Sequence, residues 1–409
     1  MNQKTLIGLA IAALVAIVAA IAINRANMPR SESGGEQSSY LAPELRDHVN
    51  DVSKLVVTGA DNKTLATLER GTNGWSIAEK GGYAVDTGKL REFLLKLADA
   101  KLVEQKTANK DKYATLGVED VSAKDAKGLQ AELDGLARPF KLIVGVANQR
   151  GGTFVRRVGD AESWLASATL NVEKNAADWL KKDLVDIAAN RIESVTITHP
   201  DGKRVRVTKD AEGDANFKLV DIPKRREAGS EYSANGLASM LAGLRFDDVV
   251  PAKDAAPDDK ALKASYATFD GLMVDVTAWE KDAKDYAQFT ASLDTAQAGK
   301  GITAAQAKAK SEFETATAAA AKDSKPADKP IKPLAVSDVV KDHENRLAAL
   351  NKEVADLNAR VNGWTYVLPA YKYATINKSI DDLLKPLEDK KAADPTKNAA
   401  ARKAAKPGK

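Results

Sequence analysis

The sequence predicts an α+β protein: one N-terminal transmembrane helix, followed by two repeats of an antiparallel β-meander with helices. Three observations predict this class: an uncharged apolar run near the start, an internal repeat, and β-rich runs separated by turn-forming pairs. The chain is accordingly divided into a cytoplasmic tail at 1–5, a transmembrane anchor at 6–23, a flexible tether at 24–44, a first repeat at 45–190, a second repeat at 191–389 and a disordered basic tail at 390–409.

The anchor comes first. Leu6 to Ile23 form 18 consecutive apolar or glycine residues without a charge, at the lower end of the length that crosses a bilayer. A cleaved signal peptide stays open as the alternative, because Ala20 and Ala22 could precede a cleavage site. The tail before the apolar run is short, which favours an N-terminus inside the cell, although charges on both sides leave the orientation open.

The internal repeat is clearest in two segments that align without gaps. LREFLLKLADAKLVEQK begins at Leu90 and LASMLAGLRFDDVVPAK begins at Leu237, an offset of 147 residues. Apolar residues at helical spacing predict a short amphipathic helix in both. Three β-rich runs precede each helix, with Asp61-Asn62 and Asp201-Gly202 as turns, and predict a three-stranded meander. The paired runs are Val52–Val57 with Ile192–Ile197, Leu65–Leu68 with Val205–Thr208, and Trp75–Ile77 with Phe217–Val220.

The parallel continues beyond the two helices. Tyr113-Ala-Thr-Leu aligns with Tyr266-Ala-Thr-Phe, a β-hairpin follows in each half, and each half ends with an aromatic-led strand and a helix. The predicted hairpin strands are Phe140–Val146 with Thr153–Val158, and Leu272–Trp279 with Tyr286–Ala291. The closing segments run from Trp164 to Leu180 and from Trp364 to Leu384.

The second repeat carries an insertion at 294–362. Its first part is Ala/Lys-rich and ends in prolines, which is typical of either a marginal helix or a disordered segment. From Ser337 to Asn362 the apolar residues follow a heptad pattern, so this segment is a candidate coiled coil. Two interpretations stay open: a helix lying on its own domain, or one that pairs with a partner chain or with itself. The candidate partner-binding residues are Val340, Leu347, Leu350, Val354, Leu357 and Val361.

Nothing in the sequence selects a catalytic, cofactor-binding or metal site. Cysteine is absent, and His48, His199 and His343 lie in unrelated segments without metal-ligand spacing. Gly82 to Lys89 superficially suggests a phosphate loop, but Tyr83 stands where its first glycine belongs. A net charge of +4 and 5% aromatic residues argue against nucleic-acid binding. We therefore expect a protein that is not an enzyme and takes no cofactor.

Several of these segments together resemble a bacterial domain family of unknown function. They are the anchor, the LREFLLKL helix, the hairpin KLIVGVANQRGGTFVRRV, the SWLASATL strand and the DWLKKDLVDI helix, over most of 1–290 and 362–389. Members of that family are often encoded beside gliding-motility-type ABC transporters. The resemblance implies a single-pass protein of the bacterial inner membrane with its body in the periplasm, and permease or ATPase subunits as partners.

Two functional hypotheses follow. The leading one is a non-enzymatic, membrane-anchored accessory or scaffold subunit of an ABC-type transport system. The alternative is a periplasmic module that binds an envelope glycan, lipid or peptide. Five tryptophans are predicted on strands or helices, and most are expected in the core, with a ligand-stacking surface as the alternative. A cleft that exposes Trp164 or Trp364 would favour the binding module.

Overall fold

The structure is a computed structural model that describes residues 39–322 and 330–386. Over these residues the protein is mixed α+β with large antiparallel sheets, as predicted. The predicted cytoplasmic tail, transmembrane anchor and basic tail lie outside the described residues, as does most of the tether. Within the described ranges, no helix is both long enough and apolar enough to cross a membrane.

Strands and helices alternate along the described chain. The strands are β1 Lys54–Thr58, β2 Thr64–Gly71, β3 Gly74–Ile77, β4 Tyr83–Ala84, β5 Leu102–Thr107, β6 Leu129–Asp134, β7 Phe140–Ala147, β8 Thr153–Arg157, β9 Ser163–Ala166, β10 Asp183–Val185, β11 Ile192–Thr198, β12 Arg204–Thr208, β13 Lys218–Val220, β14 Leu244–Arg245, β15 Asp248–Pro251, β16 Leu262–Thr268, β17 Leu272–Lys281, β18 Lys284–Leu293 and β19 Trp364–Val367. The α-helices are α1 Pro43–Arg46, α2 Thr87–Asp99, α3 Tyr113–Leu116, α4 Glu231–Ala238, α5 Thr295–Lys322, α6 Leu334–Ser337, α7 Val339–Val361 and α8 Ala370–Ile376.

The chain divides into two compact units. Unit 1 comprises residues up to 65 together with 90–174, and unit 2 comprises 66–89 together with 175 onwards. The first division falls inside β2 and the second inside α2. These units are defined by compactness, whereas the repeats at 45–190 and 191–389 were defined by sequence similarity. The bounds of the repeats therefore stay a prediction.

Unit 1 is built on antiparallel strands in the order β1-β6-β7-β8-β9-β5. The residues of β6 alternate between buried and half-buried, with Leu129, Ala131 and Leu133 pointing into the core. This alternation follows from the two-residue period of a strand. The alternation of apolar and polar residues in β6 therefore predicts which of its side chains are buried.

Unit 2 repeats that order with β11-β16-β17-β18-β19-β15, again antiparallel throughout. Each of these six strands has the same place in the chain order as its counterpart in unit 1. Beyond β11 lie β12 and β13, and a smaller β2–β3–β4 ladder also falls mainly in unit 2. The recurrence is what a duplicated β-meander would produce.

The aligned segments bury the same positions, but the predicted helix forms fully only in the first. α2 covers Leu90 to Leu97, whereas α4 ends at Ala238, a 3-10 turn follows at Ser239–Leu241, and Leu244 begins β14. Their matched leucines are buried in both units: Leu90, Leu94 and Leu97, and Leu237, Leu241 and Leu244. The second helix nevertheless begins earlier than the sequence suggests, at Glu231, where the Ser230 side chain accepts a hydrogen bond from the Tyr232 N–H. Such a cap satisfies one of the free N–H groups of a helix start.

The DWLKKDLVDI helix was predicted wrongly: a 3-10 turn ends at Trp179, and Asp183–Val185 form the strand β10.

One alignment was also wrong. Tyr113–Leu116 forms the helix α3, whereas Tyr266 lies in the middle of β16. The true counterpart of β16 is β6, because each pairs with the first meander strand of its unit. The sequence reading missed β6 because its outward residues are Gln130, Glu132 and Asp134, which make it look like a polar loop.

The insertion is helical in both of its parts. α5 covers the Ala/Lys-rich stretch, and its Gln306 side chain donates to the Val339 carbonyl at 2.9 Å and to the Asp342 carboxylate at 3.0 Å in α7. The start of α7 is capped by Asp338, whose side chain accepts a hydrogen bond from the Lys341 N–H. The two helices are thus joined by buried polar contacts.

The second half of α7 packs on β18 of its own unit. The Asn358 side chain bonds to both the N–H and the carbonyl of Ala291, each at 2.8 Å, which fixes the helix against β18. Glu353 accepts two hydrogen bonds from Arg191, at 2.6 and 2.8 Å. These contacts hold the last turns of α7, and with them Arg360, in place.

The predicted partner-binding residues differ in exposure. Leu350 and Leu357 are each 7% exposed and Val361 is 1% exposed, whereas Val340 is 70% exposed. Leu347 and Val354 are half-buried. Packing within unit 2 therefore accounts for the buried members of the heptad pattern. Pairing of this helix with another chain stays a prediction, for which Val340 is the accessible member.

Candidate functional site

The tryptophans separate into two groups by burial. Trp179 and Trp279 are 0% and 1% exposed and belong to the core, as the sequence led us to expect for most of them. Trp75, Trp164 and Trp364 are half-buried, and each lines a cavity. A half-buried indole beside a cavity offers an apolar face to a ligand. These three residues therefore locate the candidate sites.

The larger of these two cavities lies within unit 2, and we call it the tryptophan groove. Its volume is about 490 Å³, within the range of pockets that bind small ligands. Trp75 and Trp364 both line it. The complete lining is Gly71, Thr72, Asn73, Gly74, Trp75, Ser76, Gly82, Tyr83, Ala84, Lys181, Asp183, Ala359, Arg360 and Trp364.

The β2–β3 hairpin positions Trp75. Gly71 pairs with Gly74 at the turn, and Arg70 pairs with Trp75 one step into the ladder. Gly74 has a φ of +102°, a conformation that glycine adopts without steric cost. The Arg70 guanidinium lies 5.5 Å from the centre of the Trp75 ring, a cation–π contact that restrains the indole.

A cluster of aromatic rings positions Trp364. Tyr83 meets Trp364 edge-on, with centroids 4.9 Å apart and planes at 84°. Tyr83 also lies 5.5 Å from Phe246 and 6.1 Å from Tyr366, in the same edge-on manner. Edge-to-face pairs bring the positive edge of one ring to the negative face of another. The orientation of Trp364 is thus fixed by its neighbours before any ligand arrives.

The two phenols of this cluster have no acid–base role near neutral pH. Burial raises the pKa of Tyr83, and its hydrogen bond with Tyr366 and the charge of Arg360 only partly offset this. Burial also raises the pKa of Tyr366, whose hydroxyl donates to the Arg360 carbonyl at 3.0 Å. Both side chains stay protonated and serve to tie the end of α7 to β4 and β19.

Positive charge dominates the polar part of the groove. Arg360 donates from Nη1 to the Leu184 carbonyl at 2.7 Å, and among the described residues no carboxylate pairs with it. Lys181 likewise has no ion-pair partner within the described chain. The acidic lining residue, Asp183, already faces Arg245 at 3.5 Å. The lining therefore carries an excess of unpaired cationic donors.

The strand edge beside the groove is occupied. The Ala84 carbonyl accepts a hydrogen bond from the Lys181 N–H at 3.1 Å, and Val85 forms a β-bridge with Leu180. Asp86 donates its N–H to the Trp179 carbonyl at 2.8 Å. This side of β4 therefore offers no free backbone ladder to an incoming peptide strand.

Unit 1 has a smaller cavity of about 290 Å³ beside Trp164. Its arginines are already paired: Arg157 with Glu44 at 3.1 Å, and the buried Arg156 with Asp120 at 2.6 Å. Trp164 and Trp364 occupy matching places, since one lies in β9 and the other begins β19. The two cavities thus share a tryptophan but differ in available charge.

No catalytic constellation accompanies either cavity. In the part of the chain that the structure describes, no group of three or more His, Asp or Glu side chains is placed to hold a metal ion. His48 contacts Asp51 at 2.6 Å, and His199 contacts the Lys378 carbonyl at 3.0 Å. Neither histidine lines either of the two cavities. The expectation that the protein is not an enzyme stays a prediction.

Sequence reasoning singled out Trp364 but missed its companions. Lys181, Asp183 and Arg360 join Trp75 only through the fold, because the four residues come from three distant segments. The local signal that could have flagged Trp75 is Gly-Thr-Asn-Gly-Trp, in which a tight turn presents the ring that follows.

Comparison with known proteins gives one similarity. A family described as "Domain of unknown function (DUF4340)" matches residues 75–265. This confirms the predicted resemblance to a domain family of unknown function over that stretch; the association with transporters stays a prediction. The match includes Trp75, Tyr83 and Lys181 and ends before Arg360 and Trp364. Neither the curated proteins nor the solved structures gave a match.

Proposed function

We propose that the protein is a non-enzymatic binding module of the bacterial envelope that holds its ligand in the tryptophan groove. One observation carries the proposal: Trp75 and Trp364 are half-buried along a single cavity together with the unpaired cations of Lys181 and Arg360. Ligand pockets combine apolar and aromatic walls with a few convergent polar groups. This is the composition of the groove, and it favours the second of the two hypotheses drawn from the sequence.

Tryptophan emission tests this proposal. The full chain in detergent is titrated with glycan fragments, lipid vesicles and peptides, alongside the variants Trp364→Phe and Trp164→Phe. We expect one ligand class to change the emission of the wild type and of Trp164→Phe, with a much smaller change in Trp364→Phe. If no class produces such a change, or if Trp164→Phe loses it equally, the groove is not the binding site.

A second proposal is the leading hypothesis from the sequence: an accessory or scaffold subunit beside an ABC-type transport system. An observation that favours it is the series of exposed apolar side chains in and before the start of α7. Ile331 is 93% exposed, Val339 is 50% exposed and Val340 is 70% exposed. Contiguous exposed apolar patches mark protein-binding surfaces, and these three side chains are the candidates for such a patch.

Purification from detergent-solubilised membranes tests the second proposal. The wild-type chain should retain a permease or ATPase subunit, and Val340→Asp should retain less while unfolding at an unchanged temperature. Lys308→Asp, an exposed change on α5, is the matched control. Recovery of neither subunit by the wild type would contradict this role.

We also propose that the chain is anchored in the inner membrane by residues 6–23, with the body in the periplasm. The support is the length and uncharged character of that run. Fractionation with and without alkaline extraction tests the anchor, and protease added to spheroplasts tests the side. Intact protein in the cytosolic fraction would contradict both parts.

A further inference from the structure

We propose that the ligand of the tryptophan groove is a carbohydrate bearing an anionic group, a carboxylate or a phosphate. This inference deepens the proposed binding function and rests on it. The combination that supports it is two indole rings, a pair of unpaired cations, and short polar side chains on one cavity wall. Each part of that combination matches one part of an acidic sugar.

The indoles match the ring of a sugar. A pyranose has an apolar face of C–H groups, and this face packs on the electron-rich face of an aromatic ring. Trp75 and Trp364 are both half-buried, so part of each ring stays available. Their orientations are set in advance by Arg70 and Tyr83. Because these side chains are already ordered, less conformational entropy is lost when a sugar binds.

The polar lining matches the hydroxyl rim of a sugar. Asn73 and Ser76 can each donate and accept, and Asp183 accepts. Two of these residues stand beside the β2–β3 turn, next to Trp75. A sugar stacked on that ring would therefore find hydrogen-bonding groups at its edge.

The cations match an acidic substituent. Lys181 and Arg360 both line the groove, while Asp183 is already turned toward Arg245. An arginine with free N–H groups can donate two parallel hydrogen bonds to a carboxylate or phosphate. Such charge-assisted hydrogen bonds are shorter and stronger than those between neutral groups. A neutral sugar would leave both cations unused, whereas an acidic sugar would engage them.

The other ligand classes fit less well. An acyl chain would desolvate Lys181 and Arg360 without pairing their charges, which costs free energy. An extended peptide would need a free strand edge, but the edge of β4 is bonded to Lys181 and Leu180. The lining therefore favours a compact, polar and anionic ring ligand.

Calorimetric titration of the detergent-solubilised full chain tests the inference with matched pairs of probes. One pair is chitobiose and its acidic counterpart, in which one sugar carries a lactyl ether. The other is cellobiose and cellobiouronic acid. We expect each acid to bind about tenfold more tightly than its neutral match at low salt, with the difference shrinking as salt rises.

Variants assign the effect to the groove. Trp364→Ala should lower affinity about tenfold for acid and neutral sugar alike, since it removes the stacking face. Lys181→Met and Arg360→Met should abolish the preference for the acid and leave neutral binding nearly unchanged. Trp164→Ala, in the cavity of unit 1, and Lys308→Met, on an exposed helix face, are the controls and should change neither.

Three results would overturn the inference. The first is equal affinity for acid and neutral sugars. The second is an acid preference that survives both cation variants. The third is Trp364-dependent binding of a nucleotide, a lipid vesicle or a peptide when no sugar binds; this would leave the proposed binding function intact. If no probe of any class binds in a Trp364-dependent way, the proposed function fails as well.

Discussion

The two units share one sheet order but differ in the connection that leads to the tryptophan-bearing strand. In unit 1, β8 passes to β9 through only residues 158–162, whereas in unit 2 the chain between β18 and β19 runs through the helices of the insertion. The last turn of α7 brings Arg360 beside Trp364, the first residue of β19. Trp164 in β9 has no such helix before it, and the arginines around it are paired with Glu44 and Asp120.

The difference shows how one sheet can carry two kinds of cavity. Strand order is set by the alternating apolar residues, which both units share, so the tryptophan comes to a similar place in each. The charges around it come from connections, which tolerate insertion because they lie at the surface. The long connection of unit 2 supplies Arg360 to the cavity beside Trp364, whereas the short connection of unit 1 supplies Asp160 and Glu162 to the cavity beside Trp164.

The largest expected effect comes from loosening α7. Leu357→Ala removes a side chain that is 7% exposed, and we expect it to lower the free energy of unfolding by about 2 to 4 kcal/mol. Val340→Ala, on the same heptad pattern but 70% exposed, should change it by less than about 0.5 kcal/mol. Denaturant titration measures both. Equal losses of unfolding free energy in the two variants would mean that packing of α7 within unit 2 does not depend on its buried heptad residues.

Next comes Gly81, which precedes the groove residue Gly82 and lies close to the Trp364 ring. A Cβ at Gly81 would stand 2.6 Å from Cγ of Pro251, and its φ of +64° strains any other residue, so Gly81→Ala should cost about 2 kcal/mol. Gly82→Ala has the same kind of φ, +85°, but nothing within 4 Å, and should cost only about 1 kcal/mol. Thermal unfolding compares them. If Gly82→Ala lowered the melting temperature more than Gly81→Ala, close contact with Pro251 would not be what restricts position 81.

A smaller effect is expected from the ion pair that fixes α7 to the start of β11. Arg191 holds Glu353 with two parallel hydrogen bonds, but both side chains are partly exposed, so Glu353→Gln should cost about 1 kcal/mol. The cost should shrink when salt is raised, since salt screens exposed charges. A salt-independent cost, measured by denaturant titration, would indicate that packing and not charge is responsible.

The smallest expected effect is a pH dependence of the helical insertion. Burial acts to raise the pKa of Asp342, but hydrogen bonds from Gln306 and Arg346 outweigh it and hold the pKa below the usual range. A lowered pKa adds stability above the ordinary aspartate pKa of about 4, and that stability is lost as pH falls through the lowered value. Asp342→Asn should therefore melt earlier than wild type at pH 7.

The difference in melting temperature between wild type and Asp342→Asn should close as the pH falls below the usual aspartate range. Asp356→Asn is the matched control, because Asp356 lies on the exposed face of the same helix, beside Lys352. A gap for Asp342→Asn that stays constant with pH would show that the carboxylate charge does not stabilise the insertion.

Much of the fold could be predicted from the sequence because strand and helix periods report burial directly. The hairpins β7–β8 and β17–β18 and the buried leucines of α2 follow from those periods. β6 could not be found, since three of its six residues are polar and face outward. The heptads of α7 were visible, but the sequence could not choose between packing on its own sheet and pairing with another chain.

The groove was beyond sequence reasoning for a different reason. Trp75, Lys181, Arg360 and Trp364 are spread over nearly 300 residues of chain, and none belongs to a motif with fixed spacing. They are brought together by the packing of β3, the segment just before β10, the end of α7 and the start of β19. A site whose residues come together only in the folded chain leaves no local sequence motif by which it could be predicted.

The most direct test is an NMR spectrum of the five tryptophan indole N–H groups, recorded while an acidic oligosaccharide is added to the full chain in detergent. The account predicts that the signals of Trp75 and Trp364 move together with one binding constant, while those of Trp164, Trp179 and Trp279 keep their positions. Movement of the Trp164 signal with Trp364 unmoved would place the ligand in unit 1 and contradict the account.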